Sequence, residues 1–122
     1  MTDPVLKPSP ASLEAGVNLI NLTPHPVVIR SPGWDEIVVQ PSGVVARLRE
    51  DTIKAVERGN LLVRTKHTGQ IVGLPPQSDD TLLIVSMPVA LAARRPDVVC
   101  PDDLIRDDQG RVVACAALAN FA

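Results

Sequence analysis

The stretch TLLIVSMPVALAARRP, residues 81–96, decides the fold of this chain because it changes abruptly from one structural pattern to another. Its first six residues, Thr81–Ser86, are apolar between polar ends, which is typical of a central strand buried on both faces. Met87–Arg94 is rich in alanine, carries a proline where a first helical turn tolerates one, and ends before Pro96. The sequence therefore predicts a buried strand followed by a short helix with Ser86 as N-cap.

Short apolar runs cut by turn residues surround this stretch and predict further strands. Three of the turns predict hairpins, around residues 31–35, 67–69 and 107–110. The segment Asp51–Arg58 is a weaker second helix candidate, and its β-branched residues keep an extended conformation open. The predicted strands are Val17–Leu22, Val27–Arg30, Ile37–Gln40, residues 44–49, Leu61–Lys66, Gln70–Leu74, Leu104–Arg106 and Arg111–Leu118.

The pattern as a whole predicts a mainly β fold. Most of the 12 prolines fall between the apolar runs, where they mark the ends or edges of strands. We expect about seven short, mostly antiparallel strands, arranged as a sandwich or open barrel, with one or two short helices.

A chain of 122 residues is long enough for one domain and hardly for two. Residues 1–16 contain three prolines and few apolar residues, so we expect a disordered tail followed by a single domain over residues 17–122. The amino terminus lacks the apolar region of a signal peptide, and no apolar run reaches the 18 residues of a membrane helix. We therefore expect a cytoplasmic protein that does not bind membranes.

Composition argues against several classes of partner and cofactor. Twelve basic residues stand against 14 acidic ones, and Trp34 and Phe121 are the only aromatic residues, so nucleic acid is an unlikely partner. Cys100 and Cys115 are too far apart for a zinc knuckle or a redox pair, and we expect buried free thiols, although their pairing stays open. Three Asp-Asp pairs lack metal-ligand spacing, so we expect no metal and no cofactor.

Catalytic motifs are absent from the sequence. Ser86 lacks the flanking glycines of a nucleophile elbow, and the seven glycines form no phosphate-binding pattern. His67 lies in a predicted turn, where a solvated side chain is the ordinary interpretation. We therefore expect a protein that is not an enzyme; an enzyme would need the acidic pairs to converge on one cleft.

The segment Arg94–Arg111 is unusually rich in arginine and aspartate. One interpretation is a solvated loop whose charges pair with one another, each pair contributing about 0–1 kcal/mol. The other is the rim of a binding site, because guanidinium groups match phosphate oxygens and carboxylates accept hydrogen bonds from hydroxyls. On that hypothesis the phosphate ligands are Arg94, Arg95, Arg106 and Arg47, Asp97 binds hydroxyls, and His25 with Asn21 positions the ligand.

Several short motifs follow one another along the chain, namely NLTPH (21–25), PSG (41–43), VVAR (44–47), VGLP (72–75), LIVS (83–86) and RPDVV (95–99). Their order resembles that of a group of small β proteins from phages and actinobacteria, whose location would be the cytoplasm of a bacterial host cell. The similarity spans residues 17–118 and rests on motif order, since each motif is short. A more distant analogy links the chain to the anti-Thoeris sponges of phages, which sequester cyclic nucleotide signals of bacterial immunity without cleaving them.

Two functions remain in competition at this stage. The first is a non-enzymatic binding protein for a small anionic, nucleotide-like ligand such as a cyclic nucleotide, acting as a phage anti-defence sponge. The second is a phage or prophage structural or accessory protein that acts through protein contacts, with Trp34 at a predicted hairpin tip as the natural anchor. In either case we expect a homo-oligomer.

Overall fold

The computed structural model describes residues 15–122, which form a mainly β fold, as predicted. Residues 1–14 of the predicted tail lie outside the described residues. None of the described helices is long and apolar enough to cross a membrane. The described elements are β1 (Asn18–Asn21), β2 (Val27–Ile29), β3 (Ile37–Val39), β4 (Arg47–Arg58), β5 (Leu61–Val72), β6 (Thr81–Ile84), α1 (Met87–Ala93), β7 (Val98–Arg106) and β8 (Val112–Asn120).

Six of the strands form one curled sheet in the order β1-β6-β7-β8-β2-β3. The predicted hairpins β2–β3 and β7–β8 are antiparallel, but β1–β6, β6–β7 and β2–β8 pair in parallel, so the sheet is mixed where mostly antiparallel pairing was expected. A helix between two neighbouring strands accounts for the β6–β7 pair, because parallel strands need such a crossover. The sheet nearly closes on itself through a bridge between Asn21 and Pro41.

The central strand separates two apolar clusters. Leu83 and Val85 belong to a cluster that includes Val89 and Ala90 of α1, whereas Ile84 between them belongs to a second cluster with residues of β2, β3 and β8. Side chains alternate between the two faces of a strand, so the first cluster lies under the helix and the second inside the curl of the sheet. The prediction of a central strand buried on both faces is confirmed.

Helix α1 lies where the sequence predicts it, but its amino-terminal capping differs from the prediction. Ser86 occupies the N-cap position but makes no side-chain capping hydrogen bond. At the other end Arg94 adopts a left-handed conformation with φ of 48°, and its backbone N–H donates to the carbonyl of Ala90 at 3.1 Å. This is a C-terminal cap of the left-handed type, usually formed by glycine.

The largest departure from the predictions is a separate two-stranded sheet, β4–β5, which we call the ribbon. The weaker helix candidate, Asp51–Arg58, is a strand, which is the extended alternative that its β-branched residues left open. The hairpin turn predicted at residues 67–69 is wrong, because that segment lies within a strand. The actual turn is Gly59-Asn60, where Gly59 has φ of 60°, a value that suits glycine at the first position of a two-residue hairpin turn. Pairing along the whole ribbon outweighs the weak helix propensity of the segment.

The ribbon joins the body at its base. Leu48 and Ile71 pack against the cluster under α1, together with Val44 and Leu74 just outside the ribbon. The exit from β5 requires glycine, because a Cβ at Gly73 would lie 2.7 Å from the carbonyl oxygen of Val45. The base is therefore firmly packed on the body.

Candidate functional site

The ribbon presents two chemically different faces near its tip. Cross-strand partners share a face, so the register places Val56 opposite Val63 and Arg58 opposite Leu61 on one face, which we call the apolar face. The opposite face carries the pairs Glu57–Leu62 and Ala55–Arg64. The apolar face thus carries Val56, Leu61 and Val63 together with the cations Lys54 and Arg58, whereas Leu62 is the large apolar side chain of the opposite face.

The apolar face is open to solvent. Leu61 is 69% exposed, and Val63 is also exposed, as is Ile53 at the irregular step between Thr52 and Lys54. No ribbon residue between Arg49 and Gln70 belongs to either described core cluster. Exposed apolar side chains therefore gather near the tip of the ribbon.

The body carries a second exposed apolar feature, which we call the Trp34 groove. It has a volume of about 770 Å³. Trp34 lies in the loop between β2 and β3, as predicted, and its side chain is 78% exposed. Apolar side chains form the groove walls, and the charged residues among the described lining are acidic. The lining consists of Ala15, Val17, Leu19, Ile29, Ser31, Trp34, Asp35, Glu36, Ile37, Leu82, Ala117 and Leu118.

Charge is divided unevenly between ribbon and body. The ribbon, Arg47–Val72, contains six basic and three acidic residues. The other residues of 15–122 contain five basic and nine acidic ones. The ribbon is therefore cationic, with a net charge of +3, and the described body is anionic, with a net charge of −4. Opposite net charges favour contact between the ribbon of one molecule and the body of another.

Arg95 and Asp97, both predicted ligand residues, bind each other. Arg95 donates Nε to Oδ1 of Asp97 at 3.0 Å and Nη2 to Oδ2 at 2.7 Å, and Asp97 is almost fully buried. This bidentate pair uses the guanidinium donors that would bind a phosphate. Asp97 and Asp80 also line a cleft of about 370 Å³, so the surface beside the pair is acidic.

Arg106 lies at the opposite end of β7, about 26 Å from Val98 for an extended strand. Its Nη1 donates to the carbonyl of Gly110 at 2.9 Å, within the hairpin tip. The neighbouring Arg111 pairs with Asp107 at 3.0 Å. Both arginines therefore bind within their own hairpin tip, although the segment predicted as a solvated loop is mostly strand β7.

Arg94 and Arg47 are exposed and make no ion pair within residues 15–122. Arg94 follows α1, whereas Arg47 begins β4 and lines a cleft of about 330 Å³ together with Thr23, Ser86 and Glu50. Both side chains are free to bind an anion, but they lie at different ends of the helix.

Asn21 has a structural role and does not face solvent, where a ligand would bind. It is buried, and its Nδ2 donates to the carbonyls of His25 and Val39 at 2.7 and 3.0 Å, while its Oδ1 accepts from the backbone N–H and hydroxyl of Thr23. Its hydrogen bonds thereby shape the turn before β2. The His25 side chain is exposed at this turn.

The seven predicted ligand residues therefore do not form one constellation. Asp97 and Arg95 lie near the amino ends of β6 and β7, Asn21 lies at the carboxyl end of β1, and Arg106 is in the hairpin tip. Among the described residues there is also no group of three or more acidic, histidine or cysteine side chains that could hold a metal ion.

The cysteines are buried free thiols, as predicted. Cys100 belongs to the cluster under α1 and Cys115 to the cluster inside the sheet, so they do not pair. Burial raises the pKa of both thiols, which makes them poor nucleophiles at neutral pH.

Comparisons with known proteins add no identification. No protein-family model matches the chain, and neither a curated protein nor a solved structure matches it.

Proposed function

We propose that this protein is a non-enzymatic self-assembling protein whose ribbon holds copies of the chain together. This corresponds to the second function predicted from the sequence, a structural or accessory protein that acts through protein contacts. The observation that carries the proposal is the apolar face of the ribbon, where Leu61 and Val63 are exposed beside the half-buried Val56.

A two-stranded ribbon needs a partner for physical reasons. An isolated hairpin is at best marginally stable in water, and stability requires packing of an apolar face against something else. Here the body contacts only the base, through Leu48 and Ile71. Homo-oligomers are the commonest assemblies of soluble proteins, so a further copy of the chain is the most economical cover for the exposed face.

Substitution of the apolar face tests the proposal. We expect the wild-type chain to form oligomers in sedimentation equilibrium, and the double variant Leu61→Ser/Val63→Thr to raise the dissociation constant at least about tenfold, because it removes buried apolar area. Leu61→Ser and Leu62→Ser form the matched pair, since they make the same chemical change on opposite faces of the same tip, and Leu62→Ser is the control. It should leave the dissociation constant within about threefold of wild type.

Two outcomes contradict the proposal. One is a wild-type chain that stays monomeric at the highest concentration that remains in solution. The other is equal weakening by the apolar-face variant and by Leu62→Ser, since that would show no preference for one face. Circular dichroism of each variant checks that the body is folded.

The small-anion hypothesis is a second candidate, and one observation favours it. Arg47 has no ion-pair partner within residues 15–122 and lies beside the hydroxyl residues Thr23 and Ser86, in a cleft whose volume is near the lower end for ligand sites. A guanidinium and hydroxyls together suit a phosphate group. Glu50 in the same cleft opposes a highly charged ligand.

Calorimetry against nucleotides and cyclic dinucleotides tests this second candidate. Binding at the cleft should produce heat that Arg47→Ala abolishes and Arg106→Ala leaves unchanged, because Arg106 is held in the β7–β8 tip. Absence of heat with every compound in a folded sample would exclude a nucleotide sponge that works through this cleft.

A further inference from the structure

We infer that the ribbon tip of one copy seats in the Trp34 groove of a second copy. The inference rests on the proposed self-assembly and names the surface that receives the ribbon. It commits to a second copy of this chain as the occupant of the groove.

The two surfaces match in polarity. The ribbon offers Leu61, Val56 and Val63 on one face, and the groove walls are formed by side chains such as Ile29, Leu82 and Leu118. Contact would cover two exposed apolar surfaces at once, including Trp34, a residue type enriched at the energetic centres of interfaces.

The two surfaces also match in charge. Arg58 lies on the apolar face of the ribbon, opposite Leu61, so a cation accompanies the apolar side chains into the groove. At the groove, Asp35 has no ion-pair partner within residues 15–122, and Glu36 pairs with Arg30 at 2.6 Å. We therefore assign Asp35 as the carboxylate that forms an ion pair with Arg58 of the second copy.

The architecture favours a second copy over the same molecule's own ribbon. The ribbon base packs on the cluster under α1, whereas Leu19 and Ile29 of the groove belong to the cluster on the other face of the sheet. Ten residues of β4 separate Leu48 at the base from Arg58 at the tip, which is about 33 Å for an extended strand. A ribbon of this length reaches a neighbouring molecule.

Packing of one ribbon on another is a poorer alternative. The register places Lys54 on the same face as Val56 and Arg58. Two apolar faces in contact would bring four cations into one apolar interface, which carries a desolvation cost and like-charge repulsion. The groove supplies carboxylates instead.

Fluorescence of Trp34 gives a direct measurement, because it is the only tryptophan and the chain contains no tyrosine. In dilute monomer we expect solvent-exposed emission that acrylamide quenches efficiently. Assembly at higher concentration should shift the emission to shorter wavelength and lower the quenching constant at least about twofold. High salt should reverse both changes, since it screens the charge attraction.

A mixture of two defective variants tests the pairing itself. Trp34→Ala keeps the ribbon but damages the groove, and it contains no tryptophan; Leu61→Ser/Val63→Thr keeps the groove and its tryptophan. We expect each variant alone to assemble weakly. Addition of the first variant to the second should shift the Trp34 emission, because that signal arises only from the intact groove of the second variant.

The outcomes separate the inference from the proposed function. If Trp34→Ala assembles as well as wild type while the ribbon variant does not, the proposed self-assembly is supported, but the ribbon does not bind in the Trp34 groove. An unchanged emission in the mixture, or emission already shielded in dilute wild-type monomer, also overturns the inference. If the ribbon variant assembles normally, both proposals fail.

Discussion

The central strand β6 and the ribbon show opposite uses of β structure within one chain. Leu83 and Ile84 are buried among side chains of their own molecule, whereas Leu61 and Ile53 of the ribbon are mostly exposed. Both segments are rich in apolar or β-branched residues, so composition does not separate them. The difference is that β6 lies between two neighbouring strands and under a helix, while the ribbon strands have only each other.

This contrast indicates that the two regions contribute to different properties of the protein. The body encloses its own core, so its apolar residues contribute to the free energy of unfolding of the monomer. The exposed ribbon tip should contribute little to that quantity, and on the proposed function it supplies area for association. Substitutions in the two regions should therefore affect different measurements.

The largest expected effect comes from matched isoleucine truncations. Ile84→Ala removes a fully buried side chain and should lower the free energy of unfolding by about 2–5 kcal/mol. Ile53→Ala, at a side chain 66% exposed, should change it by less than about 0.5 kcal/mol. Urea denaturation of dilute protein, where association is negligible, measures both. Similar losses from the two variants would show that the ribbon belongs to the cooperative core and would remove the contrast.

A smaller but still substantial effect is expected at Asn21. Replacement by alanine removes the side-chain donor to the carbonyls of Val39 and His25, although His25 still accepts from the hydroxyl of Thr23, and it removes the acceptor for the backbone N–H of Thr23. We expect a loss of about 2–3 kcal/mol in the free energy of unfolding, since buried polar groups are left unsatisfied. Asn18→Ala on the same strand is the control, because Asn18 is less buried and makes only a backbone hydrogen bond there. Equal effects at the two positions would contradict the role assigned to Asn21.

Much of the body could be predicted from local sequence. The buried run at Leu83–Val85, the helix after it and the hairpin tips at residues 31–35 and 107–110 follow from patterns of apolar and turn-forming residues. Parallel pairing of β1 with β6 could not be predicted, because it joins segments about sixty residues apart and leaves no local signal.

The sequence pattern did not predict the ribbon, for a different reason. Charged residues interrupt its apolar pattern, and the glycine at position 69 suggested a turn, although the chain continues through it as a strand. The Gly59-Asn60 pair between two runs of twelve residues was the available signal for the true turn. The pairing of Arg95 with Asp97 could not be predicted from the sequence either. The two hydrogen bonds from the Arg95 guanidinium to the Asp97 carboxylate depend on the conformation of the turn between α1 and β7.

The smallest expected effect concerns the second hairpin tip of the molecule. Unlike the turn at Gly59-Asn60, the β7–β8 tip is held by a carboxylate: Oδ1 of Asp107 accepts from the backbone N–H groups of Gln109 and Arg111. The hydrogen bond from the backbone N–H of Arg111 is the main cause that holds the pKa of Asp107 below its ordinary value of 3.8. A carboxyl whose pKa is lower in the folded chain stabilises it above the unfolded pKa, and this contribution disappears as the pH falls through the folded value.

An NMR titration of the Asp107 carboxyl carbon should therefore give a midpoint below pH 3.8, and the amide signals of Gln109 and Arg111 should move with the same midpoint. Asp107→Asn should abolish the pH dependence of those two amide signals, whereas Asp108→Asn leaves the hydrogen bonds intact. A midpoint at or above 3.8 would mean that the carboxylate does not hold this turn. In that case neither hairpin turn would be stabilised by a carboxylate, and the proposed difference between the β7–β8 turn and the ribbon turn would be wrong.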